Sequence, residues 1–269
     1  MSIVFDENLD LFCLETANTS YIIGLADHRT FVGHVYYGRR VRRQDLRYLL
    51  RTGEAPFVPS GNERECCSFY DTFPAEYSGN GVGDYRESSI AVRTQAGQHA
   101  VMPTYVSYEI TDQKPQLPGL PSAFDREVLQ LDVDLYYTVF EENDMITRSV
   151  RISNQSKEAV YLTKAYSACM DMDDDAYEML TLHGSWARER QMDRRPLGYG
   201  KTSVGSIRGE SSHQEHPFMA WMKSSTTQTA GEVYAMHFIY SGNFIAQLEK
   251  SQFDSIRAVM GIHPADFSW

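Results

Sequence analysis

Four cysteines, Cys13, Cys66, Cys67 and Cys169, are too few and too oddly spaced to staple a scaffold. Cys66 and Cys67 are adjacent and no CxxC pair occurs, so neither disulfides nor a zinc site is expected. Reduced thiols fit a cytoplasmic protein. Basic residues are also scarce: 25 Lys and Arg face 36 Asp and Glu, for a formal charge of −11. That balance disfavours nucleic acid and anionic membranes, which require a basic surface. No apolar run approaches the length of a membrane span, and "MSIVFDENLD" lacks the basic and apolar regions of a secretion signal. Without such a signal, the N-x-S/T triplets at Asn18 and Asn154 read as chance. Long amphipathic helices are missing too. Only "DLRYLLRTG" (45–53) is compatible with a turn or two of helix.

Period-two alternation fills the place of helices. In "VLQLDVDLYYTVF" (128–140), Leu129, Leu131, Val133, Leu135, Tyr137 and Val139 fall on one face, with Gln130, Asp132, Asp134, Tyr136 and Thr138 on the other. That is a strand with one buried side. "EEND" (141–144) turns the chain into "MITRSVRIS" (145–153), with Ile146, Val150 and Ile152 inward. "NQSKE" (154–158) turns it again into "AVYLTKAYSACM" (159–170), which predicts a three-stranded antiparallel meander. The same texture recurs in "LDLFCLET", "SYIIGLA", "FVGHVYYG", "GEVYAMHFIYSGNFIAQLEK" (231–250) and "SIRAVMGI" (255–262). Seventeen tyrosines and 13 phenylalanines suit such half-buried pleated surfaces. The Pro/Gly-rich breaks at 52–63, 78–84 and 113–122 carry no composition change that would mark a domain boundary. One large all-β, antiparallel two-sheet sandwich over residues 1–269, with at most short helices, is the expected fold.

Several segments invite a site, and each has a plainer reading. "GNGVG" (79–83) lacks the following helix and the GK[ST] of a phosphate loop, so it reads as a turn. "DMDDD" (171–175) fails the EF-hand pattern, because Ala176 and Leu182 occupy the required Gly and Glu positions; a solvated acidic loop is expected. His213 and His216 have HxxH spacing but no third ligand, and Pro217 follows at once. "GSWARERQMDRRPL" (184–197) gathers Arg188, Arg190, Arg194 and Arg195, which could grip an anion, but Glu189 and Asp193 interleave them, as in an ion-paired structural segment. No nucleophile motif, Rossmann fingerprint, metal set or cofactor site is present. Carboxylates are plentiful, yet abundance does not select a catalytic pair.

Eight of these stretches together resemble the N-terminal domain of bacterial family-36 α-galactosidases. They are "HVYYGRRV" (34–41), "DTFPAEYSGNGVGDYR" (71–86), "QKPQLPGLPS" (113–122), "DMITRSVRISN" (144–154), "LHGSWARERQMDRRPLGYG" (182–200), "RGESSHQEHPF" (208–218), "GEVYAMHFIYSGNF" (231–244) and "GIHPADFSW" (261–269). The resemblance spans essentially the whole chain. It implies a large antiparallel β-supersandwich that precedes a (β/α)₈ barrel, and retaining hydrolysis of terminal α-galactosides such as melibiose and raffinose-type sugars. It places both catalytic aspartates on the barrel, the nucleophile in a "KWD"-like motif, with a "DDGW"-like strand contributing to sugar binding; this sequence lacks both motifs. No catalytic residue is therefore expected in the chain, and no metal or cofactor. The resemblance implies a homotetramer in which a loop of this domain reaches a neighbouring active site. The matching positions here are Glu54, before Phe57-Val58-Pro59, and Arg64. The family more often has aspartate first, and "RECCSF" sets the arginine slightly off register.

The resemblance also implies that the chain stops before the last strands of the sandwich, which predicts an unpaired edge near 255–269. Two rival readings remain. One is a free-standing carbohydrate-binding sandwich with Trp186 or Trp221 as a stacking platform. The other is a synthase or transferase of raffinose-type sugars, less favoured by the bacterial-type motifs.

Overall fold

The computed structural model describes residues 2–52, 69–81, 83–111, 131–174, 176–211 and 213–266. Their regular structure is strand, with three single-turn 3₁₀ segments at Arg47–Leu49, Glu141–Asn143 and Pro264–Asp266. The first four strands are β1 (Ile3–Asp6), β2 (Leu11–Glu15), β3 (Thr19–Ala26) and β4 (Phe31–Arg39). They pair in that order, antiparallel, as an N-terminal sheet. A central sheet of five strands has the order β11 (Gly200–Ser206), β14 (Phe244–Lys250), β15 (Ser255–Ile262), β8 (Val160–Asp173) and β5 (Ile90–Thr94). An outer sheet runs β10 (Arg188–Pro196), β9 (Tyr177–Ser185), β12 (Glu215–Lys223) and β13 (Val233–His237). The last pair, β6 (Leu131–Phe140) and β7 (Met145–Asn154), stands as a separate hairpin.

The three sheets meet in one apolar core. The N-terminal sheet supplies Leu14, Tyr21 and Ile23, and the outer sheet Met179, Met219 and Trp221. The central sheet adds Phe244, Ala246, Leu248, Ile256, Ala258 and Met260. On the opposite face of the central sheet, Tyr166, Cys169, Ile90, Val92 and Val259 are covered by the β6–β7 hairpin through Leu131, Val133, Leu135, Val150 and Ile152. The all-β, sandwich-type expectation therefore holds, with layers built from four hydrogen-bonded groups.

Two expectations are corrected. The meander does not form: β6 pairs with β7 over ten residue pairs, but β8 leaves the hairpin and is flanked by β5 and β15. The hairpin packs on β8 face to face because its apolar positions point at the central sheet. Nor are residues 255–262 an edge. β15 is hydrogen-bonded on both sides, to β14 and β8, and seven of its eight residues are buried. Its run "SIRAVMGI" carries little alternation because both faces are covered.

A close approach fixes the region that matters below. A Cβ on Gly33 of β4 would lie 2.6 Å from Leu50 Cδ2 and 3.1 Å from the Pro74 carbonyl oxygen. Only glycine lets the 47–51 turn and the 72–75 loop press onto the strand together. Pro74 O in turn accepts the His34 amide, and Val32 O accepts that of Glu76, so this loop covers the free edge of β4.

Candidate functional site

The sequence-expected contacts Glu54 and Arg64 lie outside the described residues. The turn leading towards them does not. Arg47–Leu49 forms the 3₁₀ turn, Arg51 pairs with Asp173 of β8, and Arg47 pairs with Asp45 at 2.8 Å. Beside this turn lies a cleft of about 350 Å³ between β4 and the β8–β9 connection, lined by His34, Arg51, Thr72, Asp173, Tyr177 and Tyr234 among others.

Beneath the cleft are two buried ionic clusters, neither anticipated from sequence. In the first, Arg257 of β15 is wholly buried. Its Nε and Nη2 each donate to Asp171 at 2.7 Å, Nη2 also to Asp84 at 2.7 Å, and Nη1 to the Glu87 carbonyl at 2.9 Å. Arg86 closes the ring, with Nε on Asp84 at 2.9 Å and Nη1 3.1 Å from Asp171. Asp171 is thus a buried strand residue at 1% exposure, and the solvated-loop expectation for it is corrected. Alternation explains why: Asp171 and Arg257 are register partners across β8 and β15, on one face.

The second cluster centres on Glu76, which is fully buried. Its Oε1 accepts from Tyr21 at 2.6 Å and Tyr137 at 2.7 Å, and Arg148 lies 3.0 Å away. Arg148 also donates to the Cys169 carbonyl at 2.7 Å. The signal for Arg148 was available: it sits midway between Ile146 and Val150, on the inward face of β7.

The electrostatics of these acids are structural in kind. Burial pushes the Asp84 carboxyl up, but Arg257 and Arg86 outweigh it and hold the group below the ordinary carboxylate range. Burial opposes ionisation of Glu76 as well, and Arg148 with His34 reverses the effect. Glu87 is held down by Lys164 and Lys201 against the same penalty. A glycosidase needs one carboxylic acid with a raised pKa facing an open cleft. These three are shifted the other way and locked in ion pairs.

The remaining motifs resolve simply. Gly81 and Gly83 adopt positive φ, 78° and 84°, and Asn80 bridges Val101, so "GNGVG" is a turn at its described positions. Among the described residues, no group of three His, Cys, Asp or Glu side chains could hold a metal ion. His213 lies 3.7 Å from Glu189, and the His216 ring is 5.4 Å from that of His237. Arg194 pairs with Glu178 at 2.5 Å and donates to the carbonyls of Lys223, Ser224 and Thr226, which makes it a tie between β10 and the turn after β12. Trp221 is fully buried, its indole N–H on Met172 Sδ at 3.2 Å, so it is no stacking platform; Trp186 is 80% exposed. Cys13 and Cys169 are buried free thiols whose pKa burial raises.

Three loops of the "GSWARER", "RGESSHQEH" and "IYSGNF" stretches come together at one end of the molecule. Gly184 N donates to Gln214 O at 3.1 Å, Ser211 N to Ser241 O at 2.9 Å, and Gly209 N to Asn243 Oδ1 at 2.6 Å. They expose Trp186, Ile207, Ile239 and Tyr240.

Comparison with known proteins agrees with this arrangement. Residues 30–269 match the glycosyl hydrolase family 36 N-terminal domain. The chain is 36% identical, over its full length and 30% of the relative's, to a bifunctional α-galactosidase/sucrose kinase, AgaSK, of Mediterraneibacter gnavus. The crystal structure of the α-galactosidase AgaB of Geobacillus stearothermophilus superposes with a TM-score of 0.88 at 33% identity, covering 100% of this chain and 38% of that one. A variant of AgaA from the same organism, in complex with raffinose, gives 0.87 at 34% identity over 96% and 38%. The chain thus spans between a third and two fifths of these solved relatives. It belongs to glycosyl hydrolase family 36, as the N-terminal β domain of that family.

Proposed function

We propose that this chain is the non-catalytic N-terminal β-supersandwich of an α-galactosidase that hydrolyses terminal α-D-galactosides, melibiose and raffinose-type oligosaccharides, with retention. Family membership over residues 30–269 carries the reading. The state of the buried acids supports it, since Asp84, Asp171 and Glu76 are committed to arginines. In this reading the domain supports a (β/α)₈ barrel and assembly into a cytoplasmic homotetramer. The end bearing Trp186, Ile207, Ile239 and Tyr240 suits contact with the barrel, because exposed apolar side chains gathered on tied loops favour burial. Glu54 and Arg64 would approach substrate from a neighbouring subunit.

The experiment is an assay of the 269-residue chain on an aryl α-galactoside, beside an enzyme in which it is joined to a family-36 barrel. Turnover is expected from the joined enzyme alone. Enzyme-like turnover by the chain would overturn the assignment of chemistry to the barrel. In the joined enzyme, Glu54→Ala and Arg64→Ala should raise KM for raffinose, and unchanged kinetics would remove those two residues from the site. A free-standing carbohydrate-binding domain is the second reading, favoured by the exposure of Trp186. It requires galactoside affinity that Trp186→Ala abolishes.

A further inference from the structure

Sequence spacing pairs His216 with His213, but the fold gives each a different neighbour. His213 lies 3.7 Å from Glu189, whereas the ring of His216 lies beside that of His237, with centroids 5.4 Å apart and planes 35° from parallel. Strand register produces this second pairing. Phe218 of β12 stands opposite His237 of β13, and the Pro217 carbonyl accepts the Phe238 amide at 2.9 Å. His216, two residues before Phe218, therefore shares the face of His237 and sits diagonally across from it, within reach of a ring-sized side chain. That face is turned away from the core, because Met219 and Trp221 of β12 fill the inward positions. His237 is exposed and His216 half-buried.

Two features set the pair apart from a chance surface contact. The first is that both rings are uncommitted. They touch each other and, for His237, the Phe218 ring at 6.4 Å, and neither imidazole makes a hydrogen bond or ion pair among the described residues. The second is the spacing. A transition metal sits about 2.0–2.1 Å from an imidazole nitrogen, so one ion bound to two rings at 90–110° holds their centres about 4.5–5.2 Å apart. The observed 5.4 Å is within a small side-chain rotation of that range.

We propose that His216 and His237 form a two-histidine site for a divalent transition metal, nickel or zinc, with water in the remaining coordination positions. Neutral imidazole suits these ions, whereas calcium and magnesium take oxygen ligands. Two protein ligands make a weak site, and Arg190 of β10, which acts electrostatically on His216, opposes the cation further. A bound ion would tie β13, at the edge of the outer sheet, to β12. The site is built from these two strands alone and is independent of the hydrolase reading.

Calorimetry on the untagged 269-residue chain tests it, with nickel chloride as the probe at about pH 8, where an ordinary imidazole is neutral. Nickel is expected to bind with Kd of about 10–100 μM, zinc severalfold more weakly, and magnesium and calcium not at all at about 1 mM. His216→Asn and His237→Asn should each weaken nickel binding about tenfold or more. His216 is half-buried, so its variant is first checked for native circular dichroism. His237→Asn, at an exposed position, gives the same reading if that check fails. His213→Asn should leave binding unchanged. The adjacent thiols Cys66 and Cys67 are a rival ligand pair, and Cys66→Ser with Cys67→Ser should leave it unchanged too. Bound nickel should also slow hydrogen exchange of the β13 amides. Three results would each overturn the proposal: no nickel binding at about 1 mM, loss in the His213 or cysteine variants with His216→Asn and His237→Asn unaffected, or calcium binding as tightly as nickel. Since the readout is binding and not turnover, none of them bears on the barrel assignment.

Discussion

At the scale of single residues, the molecule is distinguished by where it puts its arginines. Arg257 is wholly buried and Arg148 nearly so, its side chain 11% exposed, and both are compensated by Asp84, Asp171 and Glu76 with good geometry. A buried pair adds little compared with an apolar replacement of the whole group, but removing one partner strands the other. Arg257→Met should therefore destabilise the chain by ~3–5 kcal/mol in urea, because two buried carboxylates, Asp171 and Asp84, are left with Arg86 as their single guanidinium partner. The same carboxylates set an acid limit. Glu76, Asp84 and Glu87 titrate lower in the folded chain than in the unfolded one. Their stabilisation is complete above the unfolded carboxylate range, near pH 4–5, and is lost as pH falls through the lower folded values. Urea midpoints measured across pH should be level, as far as these groups are concerned, above about pH 5 and fall below about pH 4; a midpoint unchanged at pH 3 would contradict this.

At the scale of elements, alternation in the sequence located β6, β7 and β15 closely, and β15 runs over the expected 255–262. It also placed Leu131, Val133, Leu135, Val150 and Ile152 against the core. What alternation could not say was which strand pairs with which. β7 and β8 are neighbours in sequence with a polar turn between them, yet β8 takes β5 and β15 as partners, from over 60 residues away on either side. Trp186 and Trp221 illustrate the same limit. Trp221 lies in the unbroken apolar run 218–222 of β12 and packs nearly parallel to Tyr234, with ring centroids 5.7 Å apart, whereas Trp186 sits in the β9–β10 turn. Trp221→Ala should cost ~3–5 kcal/mol in urea unfolding. Trp186→Ala should stay within about 0.5 kcal/mol of wild type, as exposed substitutions do.

For the molecule as a whole, the decisive fact is that β15 is interior. With β14 on one side and β8 on the other, it is shielded from edge-to-edge pairing, while β10 and β13 flank the outer sheet with exposed side chains. Native-state hydrogen exchange should rank accordingly: amides of β15 near the slowest, those of β10 and β13 among the fastest. Rapid exchange throughout 255–262 would restore the edge expected from the sequence. Charged residues along β10, including Arg190, Asp193 and Arg194, suit an edge that must resist pairing.

The sequence by itself determined the fold class, the family and the positions of β2–β4, β6–β8 and β13–β15, because side-chain periodicity and ordered motifs are local properties of the chain. It also showed that "DMDDD" lacks the Gly and Glu of the EF-hand pattern, since that pattern is read position by position. Tertiary structure alone decided the rest. Asp171 looked solvated until Arg257, 86 residues on, was placed across from it, and the buried contact of His34 with Glu76 at 3.4 Å exists only where β4 meets the 72–76 loop. A charge is stabilised by what surrounds it in space, and those surroundings come from segments whose separation along the chain carries no record of their contact.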